Sequence, residues 1–266
     1  MARAIVGGLR ASAPSLAITV VEPSQPGRDA LTRDFGVQAL AAAGEPLRAA
    51  TVVVWAVKPQ SFAEAAAPCR GLIDHALQLS VMAGIRSADV ARATRVDAVV
   101  RAMPNTPALI GQGITGLFAR PGVDEQQRDE VQRILAPTGE WLWLDDEAAL
   151  DAVTALSGSG PAYVFYVLEA MIEGGVRVGL APEHARQLAL ATLQGATALA
   201  AQSNESPRTL RERVTSPGGT THAAVTLLDQ RQVGSAIEDA IVAARDRATQ
   251  MGDLFAVAAT DHDARR

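Results

Sequence analysis

The chain of 266 residues has a single cysteine, Cys69. One thiol cannot close a disulfide within the chain, which fits a reducing compartment and places the protein in the cytoplasm. Aromatic residues make up only 4%, so a core must be built from Ala, Val, Leu and Ile. No apolar run approaches the roughly 20 residues needed to span a bilayer. The start, MARAIVGGLRAS, has neither the long apolar stretch nor the cleavage site of a secretory signal. An excess of one charge is missing too. Lys and Arg number 24 against 29 Asp and Glu, a net of −5, which excludes a general attraction to nucleic acid or an anionic membrane. The four histidines (His75, His184, His222, His262) are scattered without metal-ligand spacing, so no metal site is expected.

Hydrophobic residues make up 48%, enough to bury cores in a chain whose length suits two domains. The first half alternates strand-like and helix-like segments. Residues 16–21 (LAITVV) form a short β-rich run, and Gln25–Phe35 reads as a helix stopped by Gly36. Residues 51–57 (TVVVWAV) are apolar on both faces, as a strand inside a parallel sheet must be. Residues 77–82, 98–103, 114–119 and 140–144 are further strand candidates, with a charged amphipathic helix at 124–135. Strand–helix alternation of this kind predicts a doubly wound α/β sheet. After residue 145 only helical segments follow, at 146–156, 162–178, 182–202, 206–214 and from 220 to about 251. This sets the expected domains at 1–145 and 146–266, with a frayed tail after about residue 252.

Four segments carry candidate chemistry. Ala56-Val57-Lys58-Pro59 ends the strongest strand, where open α/β sheets bind ligands, and Lys58 puts a cation at that edge. Met103-Pro104-Asn105-Thr106-Pro107 is a stiff polar loop after another strand. Thr215-Ser216-Pro217-Gly218-Gly219-Thr220-Thr221 leads into a helix. With Thr220 or Thr221 as N-cap, its hydroxyls and free N–H groups suit an anion such as a carboxylate. Ser157-Gly158-Ser159-Gly160-Pro161 lacks the order of a nucleophile elbow and reads as a linker at a helix start. Tyr163, Phe165 and Tyr166 then add aromatic surface suited to packing or a subunit contact. The first three segments also read as ordinary turns, and Cys69 as an inert packing residue.

Taken in order, AVKP at 56–59, MPNTP at 103–107, DAVTALSGSGPAYVF at 151–165 and VTSPGGTTH at 214–222 resemble pyrroline-5-carboxylate reductase, from Met1 to about Met251. The resemblance implies a Rossmann-type, mainly parallel sheet followed by an all-α dimerisation domain, with homodimers that often assemble into decamers. It implies hydride transfer from NADPH (NADP) or NADH (NAD) to the C=N carbon of 1-pyrroline-5-carboxylate, giving L-proline. Ala56, Val57, Lys58 and Pro59 would line the cofactor, with Asn105 near the nicotinamide. Ser216, Gly219, Thr220 and Thr221 would hold the substrate carboxylate. The Thr221 hydroxyl would also face the ring nitrogen as the catalytic group. An imine nitrogen is basic enough to need little help, so positioning and desolvation dominate. A related imine or oxo-acid reductase, and a non-catalytic dimeric remnant, are the competing readings.

The resemblance departs at the start. The family opens with a strand and a glycine-rich loop, whereas Met1-Ala2-Arg3-Ala4-Ile5-Val6-Gly7-Gly8-Leu9 begins where that loop ends. The sheet is therefore expected to lack its first strand, with Met1 and Ala2 at the far end of the pyrophosphate turn. Met1 is then either an internal methionine or the start of a chain with a weakened or lost cofactor grip. Beyond the 16–21 strand, Glu22 suits a ribose 2′-hydroxyl, while Ser24 and Arg28 suit a 2′-phosphate. Both kinds are present, and the sequence does not choose between NAD and NADP.

Overall fold

The computed structural model describes the backbone of residues 1–263 and the side chains of residues 1–254. It divides into two compact units, Met1–Ser159 with Ala244–Arg266, and Gly160–Ala243.

In the first unit, α1 (Ala2–Ser12) is followed by β1 (Thr19–Val21), α2 (Gln25–Phe35) and β2 (Gln38–Leu40). Ser24 starts α2 by accepting the Gly27 N–H on its hydroxyl, and Gly36, at φ +61°, stops it in the left-handed conformation that glycine adopts without strain. The strand β2 has three residues, too short for any periodicity to announce it. The series continues with β3 (Val52–Trp55), α3 (Phe62–Ala66), β4 (Leu77–Ser80), α4 (Ser87–Thr94) and β5 (Val99–Met103). It ends with β6 (Gly113–Ala119), α5 (Glu125–Leu135) and β7 (Gly139–Trp143). A reciprocal pair of bonds between Asp124 and Gln127 caps α5.

The strands form two sheets. β1 and β2 pair in parallel. The second sheet runs β3-β4-β5-β6-β7, parallel at every step but the antiparallel β5–β6 pair. The expected mainly parallel α/β sheet is thus present in two pieces, with β1 and β3 not paired to one another. The helix α1 belongs to both pieces. Its Ile5 and Leu9 pack in the core with Leu79, Val100 and Leu117, and its Val6 packs with Leu31 and Val37. A third cluster, around Trp55, Phe62 and Ile73, covers the other face. A buried polar pair braces it: Trp55 Nε1 donates to Gln78 Oε1 at 2.8 Å, and Gln78 Nε2 donates to the Ala76 carbonyl at 2.7 Å.

The change from strands to helices falls after β7, near residue 145. The compact units part later, because α6 (Ala149–Val153) and the π-turn Thr154–Gly158 pack on the sheet. Leu150 is fully buried there. A Cβ on Gly116 of β6 would lie 2.9 Å from Val153, so that glycine is what lets α6 approach.

The second unit holds α7 (Gly160–Arg177), α8 (Pro182–Ala201), α9 (Pro207–Arg213) and α10 (Thr220–Gln230). The final helix, α11 (Val233–Asp263), begins in this unit and ends in the first. The single helix expected from 220 to about 251 is broken in two. Gln232 turns left-handed at φ +54°, and its N–H bonds the Asp229 carbonyl, which ends α10. The tail expected after about residue 252 is helical to Asp263 instead, since Phe-Ala-Val-Ala-Ala is a compatible helix sequence. Residues 264–266 lie outside the described residues. Among the described residues no helix is long and apolar enough to cross a membrane.

Candidate functional site

The parallel strands β3, β4 and β5 end on one edge, and the loops there carry the residues expected on the cofactor side. Ala56 and Val57 leave β3 half-buried, and Lys58 stands exposed in extended conformation before a 3₁₀ turn begun by Pro59. Lys58 is the only lysine in the sequence. At the end of β5, Pro104 is buried and the Asn105 Oδ1 accepts the Ile114 N–H at 3.0 Å. That bond folds the loop back onto β6. A Cβ on Gly113 would lie 2.8 Å from both the Ala108 nitrogen and the Thr138 carbonyl, so the loop closes only over glycine. Asn105 is therefore a brace of its own loop as well as a polar group at the sheet edge.

Ser24 is placed after β1, its hydroxyl engaged as the α2 cap at 3.4 Å from the Gly27 nitrogen. Met1 is the N-cap of α1, its carbonyl accepting from the Ala4 and Ile5 N–H groups, and Ala2 opens that helix.

The residues expected to hold the substrate lie in the second unit, between α9 and α10. The Thr215 hydroxyl donates to the Arg211 carbonyl at 2.6 Å and so closes α9. The turn then passes through Gly218 at φ +73°, and the Gly219 N–H returns to the Ser216 carbonyl at 3.0 Å. The N-cap is Gly219, not Thr220 or Thr221 as expected: extended at φ −79°, ψ 172°, it offers no side chain. The two threonines are thereby moved into the first turn of α10, where no side-chain cap takes the leading N–H groups. Ser216 and Thr220 are exposed and Thr221 is half-buried. A Cβ on Gly219 would lie 2.7 Å from the Ser216 Oγ, so glycine is what admits that hydroxyl to the helix start. Ser216, Gly219, Thr220 and Thr221 thus form one cluster of hydroxyls and N–H donors, the composition a carboxylate requires.

One charged cluster was not anticipated. Arg101, in the middle of β5, is 4% exposed. Its Nη1 lies 3.2 Å from Glu147 Oε1 and its Nη2 4.0 Å from Asp151 Oδ1. Glu147 also accepts from the Ser87 N–H and hydroxyl at 2.6 and 2.5 Å, and Asp151 from the Thr249 hydroxyl at 3.0 Å. The cluster walls a cleft of about 670 Å³ and ties β5, α4, α6 and the end of α11 together. An arginine inside the apolar run VVRAM, with carboxylates four residues apart in DDEAALD, is the signal that marks it in the sequence. Asp34 and Cys69 titrate away from their ordinary values. Arg3 and then Arg33 beside Asp34 hold its carboxyl below the usual carboxylate range, and burial pushes the Cys69 thiol up. Among the described residues no group of three or more His, Cys, Asp or Glu is placed to hold a metal.

The fold is that of a doubly wound α/β protein with polar loops at its strand ends and a separate helical unit. Residues 147–251 match the family model described as pyrroline-5-carboxylate reductase dimerisation. A pyrroline-5-carboxylate reductase of Pseudomonas aeruginosa is 40% identical over 258 residues, 95% of this chain and 94% of the relative. One from Haemophilus influenzae is 37% identical over 265 residues, covering 96% and 95%. Among solved structures, the Coxiella burnetii enzyme superposes with a TM-score of 0.87 at 33% identity, covering 94% of each chain. The Plasmodium falciparum pyrroline carboxylate reductase, solved with NADP bound, superposes with a TM-score of 0.80 at 25% identity, covering 94% and 95%. The chain belongs to the pyrroline-5-carboxylate reductase family.

Proposed function

We propose that this protein reduces 1-pyrroline-5-carboxylate to L-proline at the expense of NADPH or NADH, the last step of proline biosynthesis. The observation that carries the reading is the turn before α10: three hydroxyl side chains and two glycines around helix N–H groups that no side chain caps. A small carboxylate satisfies those donors, and the imine nitrogen is bonded to the ring carbon that carries it. The first unit is the dinucleotide-binding half and the second holds substrate and dimer contacts.

The residues present fit the dinucleotide. The edge formed by β3, β4 and β5 offers the half-buried backbone of Ala56 and Val57, the Lys58 cation and the Asn105 amide. Glu22 and Ser24 lie beyond β1, and Met1 and Ala2 open α1. The nicotinamide, when bound, supplies the hydride for the C=N carbon. The chain's own residues bind and orient. Ser216 and Thr220, with the N–H groups behind Gly219, hold the carboxylate. The Thr221 hydroxyl meets the ring nitrogen, which gains a proton as the carbon gains hydride. Holding both reactants in register removes most of the barrier, so no carboxylate or metal is needed beside the imine.

Homodimerisation through the second unit, assembly of dimers into decamers, and work in the cytoplasm belong to the same reading. The matched dimerisation model and the one buried, unbridged cysteine support it. Purified protein is expected to oxidise NADPH or NADH only when 1-pyrroline-5-carboxylate is added; absence of turnover with either cofactor overturns the assignment. Thr221→Ala is expected to lower kcat by about tenfold, the worth of one well-placed hydrogen bond, while the dinucleotide Kd holds. Unchanged kinetics would remove Thr221 from the mechanism.

A further inference from the structure

The chemistry beyond β1 distinguishes two dinucleotides that differ only in a 2′-phosphate. Resting on the reductase reading, we infer that Glu22 sets the cofactor preference of this protein, selecting NADH over NADPH by meeting the adenosine ribose at its 2′ position. Three observations carry it.

The first is position. β1 is the strand that follows α1, and Glu22 is the residue just past its end, about 20 residues beyond the start of that helix. In a doubly wound dinucleotide fold this is where a side chain meets the ribose. The Glu22 N–H bonds the Leu40 carbonyl at 2.8 Å, so the backbone there is held by the sheet and is not a loose loop.

The second is the built seat of the carboxylate. Glu22 Oε1 accepts the Ser24 N–H at 2.8 Å. A Cβ on Gly27 would lie 2.8 Å from the Glu22 Cγ and 2.9 Å from its Cδ. Glycine at 27 is therefore what lets the glutamate lie across the first turn of α2. Half-buried in this seat, the carboxylate keeps its second oxygen, Oε2, out of every hydrogen bond and ion pair found among the described residues. An oxygen so presented accepts from a 2′-hydroxyl and repels a 2′-phosphate.

The third is the fate of the groups that would welcome a phosphate. The Ser24 hydroxyl oxygen already accepts the Gly27 N–H as the α2 cap. The Arg28 Nη1 donates to the Glu22 and Pro23 carbonyls at 2.8 and 2.7 Å, and its Nη2 donates to the Gln25 side chain. The half-buried guanidinium is thus tied to the turn through both of its Nη atoms. Arg28 makes no ion pair with the Glu22 carboxylate, which has no cationic partner among the described residues.

The test is titration of the full-length protein, and of Glu22→Gln and Glu22→Ala, with NADH and NADPH by calorimetry, a readout independent of turnover. Adenosine 2′,5′-bisphosphate against 5′-AMP serves as a second pair of probes that differ in the same phosphate. The wild type is expected to bind NADH at least tenfold more tightly than NADPH. Both variants should bring that ratio to within about threefold of unity, chiefly by tighter NADPH binding. Glu22→Gln keeps the acceptor for the Ser24 N–H, so it preserves the turn while removing the charge. Raising the salt from about 0.05 to 0.5 M should narrow the wild-type ratio and leave the Gln ratio unmoved. A wild type that binds NADPH as tightly as NADH, or a ratio unchanged in both variants, overturns the role of Glu22 and leaves the reductase reading standing. A wild type that binds neither dinucleotide overturns that reading, and this inference with it.

Discussion

The first unit contains all of the largest fully buried side chains, from Ile73 to Leu150, whereas the second buries only Ala185 and Ala189 among its described residues. In the second unit, Phe165, Tyr166 and Val178 are 64%, 74% and 80% exposed. Both units draw on the same poor supply of aromatics, yet only one encloses its apolar surface within a single copy. A sheet covered by helices closes a core on itself. A few helices with apolar residues on several faces must leave some of them for a partner. The match to a dimerisation family model over residues 147–251 supports homo-oligomerisation, which is consistent with so much apolar surface left open in one copy.

That contrast can be broken at α7 first. Phe165→Arg puts a charge on an exposed apolar face and is expected to shift the protein to monomer and cost more than about tenfold in reductase activity. Light scattering checks the mass; an unchanged oligomer would remove this face from the interface. Next in size, Leu117→Ala in the first unit should cost about 3 kcal/mol in urea unfolding, the usual loss for a buried leucine, at any protein concentration. Leu199→Ala, at a side chain 61% exposed, should instead have a cost that depends on protein concentration, because it acts through association.

Smaller effects sharpen the comparison from the other side. Ser24→Ala and Ser206→Ala remove the caps of α2 and α9, one in each unit, and each should cost about 1 kcal/mol. Caps are local, so equal losses are expected where core substitutions differ; unequal losses by more than about threefold would contradict that. The smallest effect concerns Cys69. Burial raises its thiol pKa, so less thiolate is present in the folded protein than in an unfolded chain at the same pH. Its reaction with a disulfide reagent should lag the unfolded chain between about pH 7 and 9, and full reactivity of the native protein would contradict the burial.

Much of the fold is legible residue by residue. The helix Gln25–Phe35 and its Gly36 stop follow from a capping serine, an early proline and a glycine, all within 13 residues of chain. The apolar run at 51–57 follows from burial on both sides of a parallel strand. The misses have a common cause. β2 exists because β1 is beside it, and the break at Gln232 depends on one left-handed residue that no composition announces. The N-cap of α10 went to Gly219 because backbone geometry, not hydroxyl chemistry, decides where a helix begins after a tight turn.

The sequence by itself determined the alternation of strands and helices, the change to helices near residue 145, and the order of AVKP, MPNTP and TSPGGTT, because each is a short-range pattern. It also supplied Glu22, Ser24 and Arg28 without ranking them. Only the tertiary structure shows how those three are engaged: the serine oxygen accepts the Gly27 N–H, the Arg28 Nη1 donates to backbone carbonyls, and Glu22 Oε1 accepts the Ser24 N–H. It likewise brought Arg101 to Glu147 and Asp151 across 46 residues or more of chain. Hydrogen-bond capacity is shared among neighbours in space, so which group is left to meet a ligand is settled only when the chain has folded.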